Sequence, residues 1–180
     1  GWLWEKHPDC RMVGRDGRPV AYEAQLTLPA DGKPGPCYDH PGAMADQIRF
    51  IRRAVETLGA YENVVVWNTW QEVAYWSEPL VGSHVCYCPH TLAAYRRWLA
   101  GRYGTIAALN EAWRSRYPSF DAVLPERGVR VQPVAQDILF RTFMENVQIA
   151  EILRARASAI RSADPLGRPV FAHKGAPAIG

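Results

Sequence analysis

Residues 64–72 read Val64-Val65-Val66-Trp67-Asn68-Thr69-Trp70-Gln71-Glu72, a short apolar run that ends on an amide and a carboxylate. The run is β-branched and continuous, not alternating, which is the pattern of a strand covered on both faces in a parallel sheet. Parallel strands need a long crossover, usually helical, and the flanking sequence supplies one. Upstream, Met44, Ile48, Ile51, Val55 and Leu58 recur at helical spacing and Gly59 follows as a stop, predicting a helix over 43–58. Downstream, Leu92, Tyr95, Trp98 and Leu99 share a face with Thr91 placed as the cap, predicting a helix over 91–103. A short helix over 106–113 follows, then the longest, about 134–163, carrying Leu139, Phe143, Val147, Ala150, Leu153, Ala157 and Ile160 at helical spacing. Asp164-Pro165-Leu166-Gly167 ends it, and Pro169 to Ala172 reads as the next strand. Helix, strand, helical excursion, strand is α/β architecture, part of a parallel barrel or an open sheet.

The bulk properties agree with that class. The 180 residues are 48% hydrophobic with a mean hydropathy of -0.24, enough apolar content for one core. A net charge of +3 with arginines scattered along helical segments argues against a nucleic-acid partner. No apolar run approaches the roughly 20 residues that span a bilayer, and the start Gly1-Trp2-Leu3-Trp4 lacks the build of a signal peptide, so a cytoplasmic location is expected. The chain opens without a methionine and stops just after a strand that nothing later covers, so residues 1–180 are expected to be a fragment of one domain. Two long stretches, 14–41 and 73–89, are read as loops, and loops of that length inside a domain are usually functional.

In barrel and open α/β folds the site lies at the carboxyl ends of the strands, which is where Glu72 falls. A carboxyl beside Trp70, Tyr75 and Trp76 has its charged form disfavoured by desolvation, which suits it to give up a proton near neutrality. Gln71 offers an amide to a hydroxyl, and aromatic rings round a carboxylate suit the C–H face of a sugar. The competing reading of Glu72 alone is a helix cap or a surface ion pair.

The segment Trp67-Asn68-Thr69-Trp70-Gln71-Glu72 resembles the fourth strand of family 42 glycoside hydrolases, with Gln71 where the family has Asn. Trp2-Leu3-Trp4-Glu5-Lys6-His7-Pro8 is similar to the family's segment after strand three. Tyr103-Gly104-Thr105-Ile106-Ala107-Ala108-Leu109-Asn110-Glu111-Ala112-Trp113 is similar to its helix-turn signature, and Gln136 to Phe143 to the start of its next long helix. The resemblance implies a partial (β/α)8 TIM barrel, from about the strand 3 loop to strand 5, of the clan that carries its acid/base after strand four. It further implies a retaining β-galactosidase-like enzyme of bacterial origin, with Glu72 as acid/base, Gln71 and Trp70 at the sugar, and Lys33 near a sugar-binding Arg of relatives. The nucleophile Glu of that family follows strand seven and is expected outside this chain. The competing class is a non-catalytic fragment or degenerate homologue that binds carbohydrate or only oligomerises.

Four cysteines are present, Cys10, Cys37, Cys86 and Cys88. Cys86 and Cys88 are too close for an easy mutual disulfide but can share one tetrahedral ion; ordinary reduced thiols are the competing reading. The family resemblance implies a structural zinc on Cys37, Cys86 and Cys88, where the family's fourth ligand position is Thr91. His90 is taken as the replacement, with Cys10 as the alternative. No organic cofactor is expected. The expected partners are a β-galactoside and either further copies of the chain or the rest of the barrel. His173, just past the second strand, is a candidate for the site rim, with an ordinary loop histidine as the competing reading.

Overall fold

The computed structural model describes residues 2–14, 16–19, 36–71, 73, 86–125 and 135–173. Glu72, Lys33 and most of the two expected loops lie outside these described residues. The elements used below are α1 (Trp2–Lys6), α2 (Pro41–Leu58), β1 (Trp67–Asn68), α3 (Pro89–Tyr103), α4 (Ile106–Trp113), α5 (Ala135–Thr142), α6 (Ile149–Ala163) and β2 (Val170–Phe171).

Helix starts follow local chemistry. His40 caps α2, its Nδ1 accepting from Ala43 N at 3.0 Å, and Pro41 occupies the first turn, where its missing N–H costs nothing. The helix over 91–103 is longer than expected at its start, because the cap is Cys88 and not Thr91: Cys88 Sγ accepts from Thr91 N at 3.5 Å. A sulfur therefore takes the role the sequence reading gave to a hydroxyl. Thr105 caps α4 through Ala108 N at 3.2 Å, and Gly104 makes the turn between α3 and α4 at φ 71°, a conformation that favours glycine. The long helix expected over 134–163 is present as α5 and α6 joined by a π-helical stretch, Phe143–Gln148. That stretch widens the helix where Phe143, Met144 and Gln148 turn into the interior.

Aromatic rings stand at the centre of the contacts between α3 and α5. Tyr95 of α3 stands edge-on to Phe140 of α5, ring centroids 5.0 Å apart, and packs on Phe143 at 5.5 Å. Tyr87 meets Phe140 at 5.2 Å and Trp98 meets Phe143 at 5.8 Å. Leu99, Leu109 and Val123 belong to the same buried cluster, and each such side chain contributes roughly 1.5–3 kcal/mol through burial. On the other side α2 lies along α6. The buried carboxylate of Asp46 in α2 holds the N-terminal segment: Lys6 Nζ reaches it at 2.7 Å and His7 Nε2 at 2.8 Å. The hydrogen bond from Lys6, then that from His7, brings Asp46 down to about 2.

β1 and β2 pair in parallel, Trp67 opposite Val170 and Asn68 opposite Phe171. The strand expected to be buried on both faces is corrected in two respects. Its paired part is Trp67–Asn68, and Val65 and Val66 ahead of it are 71% and 41% exposed. Among the described residues only β2 lies beside β1, so one neighbour and one layer of helix cannot enclose a run written for burial on both sides.

Both strands start from one buried ion pair. Asp164, at the end of α6, takes Arg168 Nη1 at 2.6 Å, Arg168 N at 2.7 Å and the Trp67 indole N–H at 3.1 Å. The same Arg168 donates through Nη2 to Gly59 O at 2.8 Å and Tyr61 O at 3.2 Å, just beyond α2. Asp164, read from sequence only as part of a helix stop, therefore joins with Arg168 the ends of α2 and α6 to the first residues of β1 and β2.

Candidate functional site

At the carboxyl end of β1 the ladder with β2 leaves its regular register. Thr69 N donates to Phe171 O at 2.8 Å and Val73 N donates to His173 O at 2.9 Å, so the donors are four residues apart while their acceptors are two apart. A regular parallel ladder advances two residues on both strands. The extra residues on the β1 side must bulge from the sheet, the device that re-aims side chains beside active sites. Glu72 falls in this span, between described residues Gln71 and Val73.

The residues round the bulge are hydrogen-bonded to one another. Gln71 Oε1 accepts from Asn68 Nδ2 at 3.2 Å, and Gln71 Nε2 lies 3.1 Å from His173 Nδ1. Asn68 Oδ1 also accepts from Trp70 N at 3.1 Å, and His173 N donates to Trp70 O at 3.0 Å. Trp70 is half-buried, edge-on to Tyr38 at 5.1 Å, with the Arg156 guanidinium 4.7 Å from its ring centre. Arg156 also donates to Thr69 O at 3.3 Å and to Gln47 Oε1 at 2.9 Å, so one cation ties α6 to α2 and to the end of β1. One face of Trp70 is thereby occupied by protein. Gln71 and His173 are exposed among the described residues.

Behind this edge lies a second cluster. Cys37, Cys86 and Cys88 are buried, with their sulfurs all within 4.8 Å of one another and Cys37 Sγ 3.2 Å from Cys88 Sγ. Sulfurs on one tetrahedral zinc at about 2.3 Å lie about 3.8 Å apart, so the three fit one ion. Backbone N–H groups already point at them: Val13 N to Cys86 Sγ at 3.1 Å, Cys88 N to Cys86 Sγ at 3.3 Å and Thr91 N to Cys88 Sγ. Such donors favour thiolates. Hydrogen bonds from Cys37 and then Cys86 pull Cys88 down to about 2, and the N-terminus of α3 assists. The hydrogen bond with Cys86, then that with Cys88, then burial push the Cys37 thiol up. Thr91 Oγ1 sits 3.2 Å from Cys37 Sγ. Burial pushes neighbouring Asp39 up to about 6, against hydrogen bonds from Thr91 and Gln148 that lower it.

His90 falls outside the sulfur cluster. Its ring lies edge-on to His40 at 4.7 Å, and its ligating atoms group with those of Asp9 and His40. That group reads as a hydrogen-bonded pair. His40 Nδ1 accepts from Ala43 N, so Nε2 carries the proton and donates to Asp9 Oδ2 at 3.2 Å. A cation on Nε2 would require moving that proton to Nδ1, against the helix cap. Cys10 is also outside the sulfur cluster, its Sγ 3.8 Å from Leu3 O.

Of the residues expected at the site, Gln71 and Trp70 are at the strand end, the three cysteines are together, and Glu72 and Lys33 lie outside the described residues. The roles of Asn68, Arg156 and Arg168 were not read from sequence. Arg156 did leave a signal: it lies on the stripe of α6 that carries Ile149, Ile152, Ala159 and Ile160, all of them buried. A charged residue on an apolar stripe marks a specific partner.

Comparison with known proteins gives a consistent result. The glycoside hydrolase family 42 model, described as Beta-galactosidase, matches residues 1–172. A β-galactosidase of Thermus thermophilus is 33% identical over 172 residues, covering 87% of this chain and 24% of that protein. Beta-galactosidase BgaA of a Thermus species is 32% identical over 169 residues, again covering 87% of this chain and 24% of the relative. Among solved structures, the β-galactosidase of Bacillus circulans sp. alkalophilus matches with a TM-score of 0.73 at 20% identity, over 95% of this chain and 24% of that one. The β-galactosidase of the haloarchaeon Halorubrum lacusprofundi matches with a TM-score of 0.72 at 26% identity, over 95% and 24%. The chain thus spans about a quarter of the length of these relatives.

Proposed function

The chain belongs to glycoside hydrolase family 42 and has the fold of part of a (β/α)8 barrel, and from that premise we propose that it supplies the acid/base end of a retaining β-galactosidase. The observation that carries the proposal is the broken register at the end of β1, where Trp70 O and Val73 N, which flank Gln71 and Glu72 in sequence, both bond to His173. In this reading the chain is a segment of one catalytic barrel domain, from about the strand 3 loop to strand 5. Glu72 protonates the glycosidic oxygen as the bond to the sugar breaks. As a carboxylate it then takes a proton from the water that releases the sugar from a nucleophile carried outside these residues. Gln71 holds a sugar hydroxyl, Trp70 and Lys33 border the sugar, and terminal β-galactosides are the substrates. The exposed Val65, Val66 and Phe171 suit a surface covered by the remaining barrel or by another copy. No described helix is long and apolar enough to cross a membrane. Four free, buried cysteines suit a reducing compartment, and we place the protein in a bacterial cytoplasm.

The experiment is to assay the complete gene product containing these residues on nitrophenyl β-galactoside and to follow the anomer released by NMR. Release of β-galactose first supports the reading; absence of hydrolysis sinks it and leaves the carbohydrate-binding alternative.

Zinc belongs to the same proposal. Cys37, Cys86 and Cys88 would hold it, with a fourth ligand that His90 reaches only by leaving His40. The ion would pin the segments carrying Val13, Cys37 and Cys88 to one another and would take no part in the reaction. Metal analysis of protein purified without chelator should find about one zinc per chain, lost in Cys88→Ser. A metal-free, folded parent protein would remove zinc from the account.

A further inference from the structure

We propose that His173 is a positioning residue for the acid/base segment, acting through the Gln71 amide; the inference rests on the hydrolase reading above. Three contacts from this one residue bracket Glu72. Its N–H holds Trp70 O at 3.0 Å, its carbonyl takes Val73 N at 2.9 Å, and its ring Nδ1 faces Gln71 Nε2 at 3.1 Å. The first two fix the mouth of the bulge through the backbone and survive any side-chain change. The third fixes Gln71.

The direction of that third bond follows from the network. Asn68 has its carboxamide oxygen on Trp70 N, so its Nδ2 is a donor and Gln71 Oε1 must accept. Gln71 then presents its NH₂ to His173, whose Nδ1 accepts as the Nε2–H tautomer. One Nε2 hydrogen of Gln71 is bound to His173, and among the described residues the other has no acceptor, which leaves it as a donor with a set direction. A glutamine has one more rotatable bond than an asparagine, and it needs more to hold its amide in place. Asn68 supplies this from β1 and His173 from the segment just beyond β2. Gln71 directly precedes Glu72, which in the proposed reaction acts at the bond to C1; the sugar hydroxyl nearest that bond is on C2, so the 2-hydroxyl is the group that accepts from Gln71.

The test compares kcat/KM of the complete gene product on nitrophenyl β-galactoside and on its 2-deoxy counterpart. His173→Ala should lose about tenfold on the galactoside, the scale of one hydrogen bond, and little on the 2-deoxy substrate, which has no hydroxyl to lose. His173→Asn, whose Oδ1 can stand where Nδ1 stood, should recover most of that loss. His173→Phe keeps a ring without the acceptor and should repeat the alanine result; it serves if alanine does not fold. Equal losses on both substrates, or no loss on either, overturn the inference. A parent protein that cleaves neither substrate overturns the hydrolase reading and this inference together. A parent that is active and depends on Glu72, but is indifferent to His173, overturns this inference alone.

Discussion

Replacing Glu72 by Gln in the complete gene product should lower the rate of galactoside hydrolysis by about 10²–10⁴-fold, the range that one well-placed acid/base supplies. Glutamine keeps the size and hydrogen-bonding capacity of the side chain and removes only the transferable proton. Substrate binding, which the proposed function assigns to Gln71, Trp70 and groups outside these residues, should change far less, so the loss should appear in kcat and not in KM. Circular dichroism and the thermal midpoint should match the parent, because the hydrogen bonds that fix the flanking chain come from the backbone of Trp70 and Val73. A variant with unchanged kcat would remove Glu72 from the reaction.

Arg168→Met should produce the largest loss of stability, about 3–5 kcal/mol, the cost of removing one partner from a buried pair. Methionine fills much of the space but leaves Asp164 without its 2.6 Å partner and leaves Gly59 O and Tyr61 O without their donor. Both strands start at this pair, since Asp164 also accepts from the Trp67 indole and from Arg168 N. Chemical denaturation read by tryptophan fluorescence checks it: the midpoint should fall sharply with little change in slope. A double replacement with Asp164→Leu should recover part of the loss, because it removes the stranded charge. An Arg168→Met midpoint equal to the parent's would show that the strands are seated by other contacts.

The helices are legible because their apolar residues repeat at a period the backbone imposes: the spacing places helices over 43–58 and 106–113, and the structure has them at Pro41–Leu58 and Ile106–Trp113. The cap of α3 was misread for a chemical reason. Thr91 is the usual capping residue, but the buried Cys88 thiol, three residues earlier, takes that role. The same offset explains His90. Cys88 and Thr91 are three apart and share a face of the helix, whereas His90 is turned about 200° from Cys88 at 100° per residue and meets His40 instead. Adjacency in sequence suggested a ligand that helical geometry points elsewhere. Val65 and Val66 read as buried because their composition is written for a sheet with more neighbours than β2. The pairing of Asp164 with Arg168 was hidden behind a strong stop signal, Pro and Gly, which explains those residues without needing a second role. His173 could be named from its place after a strand, but its three contacts depend on the register of β2 against β1, which no local pattern encodes.

The central claim is that Glu72 gives a proton to the departing oxygen, and leaving-group dependence tests it most directly. Parent and Glu72→Gln proteins are compared on aryl β-galactosides of graded leaving-group acidity, from dinitrophenyl to phenyl. A proton donor matters most when the leaving group is poor, so the account predicts near-parent rates of bond cleavage for the dinitrophenyl substrate and a loss that grows steadily toward phenyl. A loss of the same size for every substrate would contradict it, and would place Glu72 in binding or folding instead of proton transfer.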